Sequence, residues 1–82
     1  MPTKDHFTAE ITRILSEAKA SGALYADINS GEVHRAMGGY PGPNHVMPAC
    51  CLALRDKMRT GDQILSEPPK SAGASLTIRY FL

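Results

Sequence analysis

The chain has no charge excess of one sign. Its 82 residues hold nine Lys/Arg against eight Asp/Glu, a net charge of +1. No global field therefore recruits a polyanion, and any basic surface has to come from the placement of side chains. No stretch approaches the roughly 20 consecutive apolar residues that a membrane-spanning helix needs, although apolar residues make up 43% of the composition. The start, Met1-Pro2-Thr3-Lys4-Asp5-His6, has no apolar run behind a basic patch. It reads as neither a secretory signal nor a transit peptide, and a cytoplasmic protein is expected.

The only cysteines, Cys50 and Cys51, are adjacent. Neighbouring positions on a helix point in different directions, so a bridge between them would be strained, and reduced thiols are expected. There is no internal repeat, low-complexity tract or linker. A phosphate-binding glycine loop is also missing, since Gly38-Gly39-Tyr40-Pro41-Gly42 lacks the lysine and the strand-to-helix context. A chain of 82 residues forms one domain with one small core, which argues against a large enzyme pocket. A thiol enzyme would need a His and a third orienting group at workable spacing, and none can be assigned, so no catalytic residue is expected.

What is present is an ordered set of elements. Over residues 7–20, Phe7, Ile11, Ile14, Leu15 and Ala18 form one apolar stripe with Glu10, Arg13, Glu17 and Lys19 outside it, which predicts a helix. Asp5 is its expected N-cap and Ser21-Gly22 its stop. Residues 24–28 alternate over too short a span for a helix and predict a strand.

Asn29 then reads as the cap of a second helix over 30–37, with Glu32 placed to return the capping bond and Ile28 and Val33 to form a hydrophobic staple. Val33, Ala36 and Met37 are expected to be buried, and Gly38-Gly39 to end the helix. Residues 40–44 are turn material. Pro48 fits only a first helical turn, so a third helix is expected over 48–59, with Cys50, Cys51, Leu54 and Met58 inward and Ala49, Leu52, Arg55, Asp56 and Arg59 outward. The tail predicts a hairpin with arms 63–66 and 75–82 and a loop over 68–74. In the last arm Leu76, Ile78, Tyr80 and Leu82 alternate with Ser75, Thr77, Arg79 and Phe81.

Helix, strand, helix, helix and hairpin is the order of a winged helix, an α+β fold that sets one helix in the major groove of duplex DNA. On that plan residues 48–59 are the recognition helix and 63–82 the wing. Arg55 and Arg59, one turn apart, and Lys57 at the edge are placed to bind guanine or phosphate, since the arginine fork makes two hydrogen bonds at once. Leu52 and Ala49 are placed to meet a thymine methyl, and Asn44 and His45 to approach base edges. Lys70 and Ser71 in the loop, with Arg35 before the turn, are candidate phosphate contacts. The same charges also read as an ordinary solvated face. His34, His45, Cys50 and Cys51 match the ligand types of structural zinc, but adjacent cysteines lack the usual gap of about two to four residues, and buried thiols acting as small apolar residues are preferred. No metal or cofactor is expected.

The runs GGYPGPNHVMPACC (38–51) and GASLTIRYFL (73–82) resemble a family of small bacterial winged-helix-like proteins associated with HNH-nuclease or restriction-type proteins. The resemblance covers about 24 residues. It implies a DNA-related setting and no catalytic residue. Where such relatives carry arginine, this chain has Val46, so a base contact at that position does not carry over. The expected function is non-enzymatic binding of double-stranded DNA. The alternatives are a winged-helix protein-interaction module, with a second copy or a nuclease as partner, and a small zinc-binding protein.

Overall fold

The computed structural model describes residues 3–38, 40, 42, 45–69 and 73–82. In chain order these form α1 (Lys4–Ala20), β1 (Tyr25–Asn29), α2 (Ser30–Met37), α3 (Met47–Asp56), β2 (Gln63–Ser66) and β3 (Thr77–Phe81). The result is an α+β arrangement of three helices and a small three-stranded antiparallel sheet in the order β1-β3-β2.

The local chemistry accounts for most boundaries. α1 starts one turn earlier than the apolar stripe suggests, and its N-cap is Thr3, not Asp5. The Thr3 hydroxyl accepts from the His6 N–H (3.3 Å) and His6 Nδ1 accepts from the Thr3 N–H (3.0 Å). That is a capping box with imidazole in the role usually taken by Glu, and it leaves Asp5 inside the first turn. The helix ends at Ser21, and Gly22 takes the positive φ that follows.

β1 runs one residue further than expected, because Asn29 both pairs with Thr77 and caps α2 by accepting from the Glu32 N–H at 3.0 Å. Among the described residues the Glu32 carboxylate does not return that bond. In α2, Val33 is buried and Met37 half-buried, but Ala36 is exposed: eight residues make barely two turns, and only one edge of them reaches the core.

α3 is shorter than expected. It ends at Asp56, so Met58 and Arg59 lie beyond it, and its buried side is Met47, Cys50, Cys51, Ala53 and Leu54. The helix stops there because its carbonyls are met from outside the α-helical ladder. The Met58 N–H bonds the Arg55 carbonyl in a tighter i→i−3 step, and the buried Tyr80 hydroxyl donates to the Leu54 carbonyl at 2.7 Å.

In the sheet, β3 is the central strand. Ile28 faces Ile78 and Asp27 faces Arg79 across β1–β3, while Ile64 faces Ile78 across β2–β3. A bulge between Ile64 and Ser66 interrupts the β2 register. Alternation puts Ile28, Ile78 and Tyr80 into one core with Phe7, Ile11 and Leu54. The opposite face is open, and there Arg79 grips Asp27 with two bonds (2.8 and 3.0 Å) and lies 4.1 Å over the Tyr25 ring.

The foot of the β2–β3 connection is tied to the start of α2. Ser30 Oγ donates to the Gly73 carbonyl (2.6 Å), and the Ser30 and Gly31 N–H groups donate to the Leu76 and Ala74 carbonyls. Gly31 allows this close approach, because a Cβ would stand 3.0 Å from both the Ala74 side chain and its carbonyl and the loop foot would have to give by a few tenths of an ångström. Tyr80→Phe strips the partner from a buried helix-end carbonyl, so urea titration should register a loss of about 1–3 kcal/mol with an unchanged denaturant slope.

Candidate functional site

α3 and the residues leading into it form the candidate site, and two imidazoles hold its first turn. His34 is fully buried near the end of α2. Its Nε2 accepts from the Val46 N–H at 2.9 Å and its Nδ1 lies 3.2 Å from the Gly38 carbonyl. That pairing requires the neutral tautomer with the proton on Nδ1. One side chain therefore satisfies both the end of α2 and the entry to α3. His45 Nδ1 accepts from the Met47 N–H at 3.3 Å, a second bond at a helix start whose N-cap, Val46, has no polar side chain. Tyr40 and His45 meet edge-on at 5.8 Å, and Phe7 meets the His34 ring at 5.0 Å, so an aromatic cluster surrounds His34.

The outward side of α3 is the stripe Pro48, Leu52, Asp56, with Ala49 and Arg55 half-buried at its flanks. Leu52 is 54% exposed. Arg55 lies 3.9 Å from Glu67, which follows β2, so the helix and the hairpin meet through opposite charges. Asp56 pairs with Lys4 of α1.

The expected pair of outward arginines one turn apart is not formed. Arg59 is past the helix end, and its guanidinium donates to the Phe81 carbonyl at 2.9 Å. Lys57 and Arg59 line a cleft against α1 and β3, away from Leu52. Arg35 is exposed on α2, with its guanidinium 5.9 Å from the Tyr40 ring. Asn44, Lys70 and Ser71 lie outside the described residues. The structure thus brings Leu52 and Arg55 together, sets His45 at the same helix's entrance, and separates them from Lys57 and Arg59. Lys19 was missed in the sequence, although Thr12, Ser16 and Lys19 recur at i, i+4 and i+7 on α1, a polar stripe that a search for basic residues on α3 alone passes over.

The sulfur atoms are engaged within the core. Cys50 Sγ donates to the Ser30 carbonyl (3.5 Å), and Cys51 Sγ exchanges bonds with the Gly73 carbonyl (3.3 Å) and N–H (3.5 Å). Among the described residues no three His, Cys, Asp or Glu side chains converge where a metal ion could sit. Burial, reinforced by the neighbouring Cys51, pushes the Cys50 thiol up to about 12. Burial also pushes the Tyr80 hydroxyl above its ordinary range. On the open sheet face the Arg79 hydrogen bond holds the Asp27 carboxyl below its usual value. No helix is long and apolar enough to cross a membrane among the described residues. No family model, curated protein or solved structure matches the chain.

Two expectations follow. His34→Ala leaves the Val46 N–H and the Gly38 carbonyl without partners, at about 1–3 kcal/mol for each group that stays dry. Native-state hydrogen exchange should show the Val46 amide losing protection together with the first turn of α3. For Cys50, an unfolded chain releases the thiol proton near 9 whereas the fold retains it to about 12. Stability from this group is therefore complete below pH 9 and is lost as pH rises through that window. Chemical denaturation at stepped alkaline pH should record that decline, and Cys50→Ala should make it shallower.

Proposed function

We propose that the chain is a winged helix-turn-helix module that binds duplex DNA, with α3 as the helix presented to the groove and the β2–β3 hairpin as the wing. The observation that carries this reading is the side of α3 left open by the core: Pro48, Leu52 and Arg55 border solvent beside the hairpin, joined to it at Arg55–Glu67. The element order and the β1-β3-β2 sheet suit that plan. On DNA, Arg55 exchanges Glu67 for a guanine edge or a phosphate, Leu52 offers an apolar contact, and His45 and Arg35 approach from the turn. The DNA face therefore depends on Arg55 rather than on a 55/59 pair, with Lys70 and Ser71 as candidate wing contacts.

A second reading, a winged-helix protein-interaction module, has its own support. The open stripe on α3 is apolar at Pro48 and Leu52, and Lys4, Arg13, Arg55 and Arg79 are already ion-paired. In the DNA reading, a labelled duplex binds with an affinity that drops steeply as salt rises, through counterion release. Arg55→Ala should then weaken it by about 1–3 kcal/mol if the contact is bidentate. If no duplex binds at low salt, while sedimentation shows a dimer that Leu52→Glu dissociates, the interaction module is the correct reading.

A further inference from the structure

α1 and α3 both end beside strand β3, and between them lies an open cleft of about 250 Å³. Three cations from separate places in the sequence meet at it: Lys19 from the last turn of α1, Lys57 at the C-cap of α3, and Arg59 beyond it. Ser16 adds a hydroxyl from the adjoining face of α1, whereas the Thr12 hydroxyl beside it donates to the Thr8 carbonyl at 2.8 Å. Leu15, the Tyr80 ring and Leu82 complete the lining, in which there is no Asp or Glu side chain among the described residues.

Lys19 and Lys57 differ from the chain's other described cations. Lys4, Arg13, Arg55 and Arg79 each face a carboxylate, and the Arg35 guanidinium lies near the Tyr40 ring. Neither Lys19 nor Lys57 has a hydrogen-bond or ion-pair partner among the described residues, yet both line this one cleft. Arg59 is fixed at its edge, because Nη2 is held by the Phe81 carbonyl while its remaining guanidinium donors have no partner among the described residues. The nearby acidic group, Asp62, has both oxygens occupied, by the Phe81 and Arg59 N–H groups.

We propose that this cleft is a phosphate-binding site, in which Lys19, Lys57 and Arg59 neutralise a phosphate group and the Ser16 hydroxyl hydrogen-bonds one of its oxygens. Three cations against one group favour a dianion, and charge-assisted bonds beside an apolar wall are stronger than the same bonds in open water. The volume is below the roughly 300 Å³ at which pockets enclose a whole drug-sized ligand, so the site seats a phosphate and the first atoms of what it is esterified to. Neither Leu52 nor Arg55 is in its lining, and phosphate binding here does not depend on the proposed DNA face. The competing role for the two lysines is to offset the negative helix C-termini at which they sit. Against that role, neither ammonium hydrogen-bonds a helix-end carbonyl among the described residues.

The test is a titration of the full chain with inorganic phosphate, followed by amide ¹H–¹⁵N spectra against a chloride control of matched ionic strength. Saturable shifts at Ser16, Lys19, Lys57 and Arg59 are expected with phosphate only. The Lys19→Gln/Lys57→Gln double variant should keep its melting temperature and bind phosphate about tenfold or more weakly. Repeating the titration with a nucleoside 5′-monophosphate and with a short duplex identifies the source: tighter binding of the monophosphate at these amides assigns a phosphomonoester, tighter binding of the duplex a backbone phosphate. The proposal is overturned if phosphate and chloride behave alike, if the double variant binds as well as the parent, or if the variant's only effect is a lower melting temperature.

Discussion

His34 is the side chain on which the arrangement of the two short helices depends. α2 is eight residues long and α3 ten, too short to be stable by propensity alone, so each needs its ends satisfied and its inner side buried. The neutral imidazole does both jobs for both helices, bonding the Gly38 carbonyl and the Val46 N–H while its ring packs against Phe7. Gly38 adopts φ +95 at the end of α2, which turns the chain without a Cβ clash and brings its own carbonyl to His34.

α3 is fixed at its far side and its end by the same kind of interaction. Cys51 holds Gly73 by two bonds, Cys50 meets the Ser30 carbonyl, and Tyr80 meets the Leu54 carbonyl. No buried side-chain nitrogen or oxygen among the described residues lacks a partner. For a core this small, polar groups that are paired in one geometry only set the angle of the helix as firmly as packing does. On the outward side this packing leaves Pro48 and Leu52 exposed and Arg55 half-buried.

Much of this was legible in the sequence. The apolar stripe of α1, the Asn29 cap, the helix over Ser30–Met37, the arm Gln63–Ser66 and the inward set Leu76, Ile78 and Tyr80 follow from period and capping chemistry. The misses share a physical origin. Thr3 displaces Asp5 because His6 supplies a side-chain acceptor that no acidic pattern advertises. α3 stops at Asp56 because a tyrosine 26 positions away meets one of its last carbonyls, a contact invisible to any local window. Arg59 consequently turns toward β3, and the basic residues divide between two regions where the one-dimensional pattern had suggested a single face. The β2–β3 loop was readable only as composition, and Lys70 and Ser71 lie outside the described residues.

The strand order has a consequence for how the chain acquires its structure. β3 is last in sequence and central in the sheet, so β1 and β2 have no strand neighbour until it arrives. The pairing of Tyr25 with Phe81 closes a loop across most of the chain, and its entropy has to be met before any β1 ladder bond is gained. Both ladders of the sheet therefore depend on the docking of one five-residue strand, which supplies Ile78 and Tyr80 to the core in the same step.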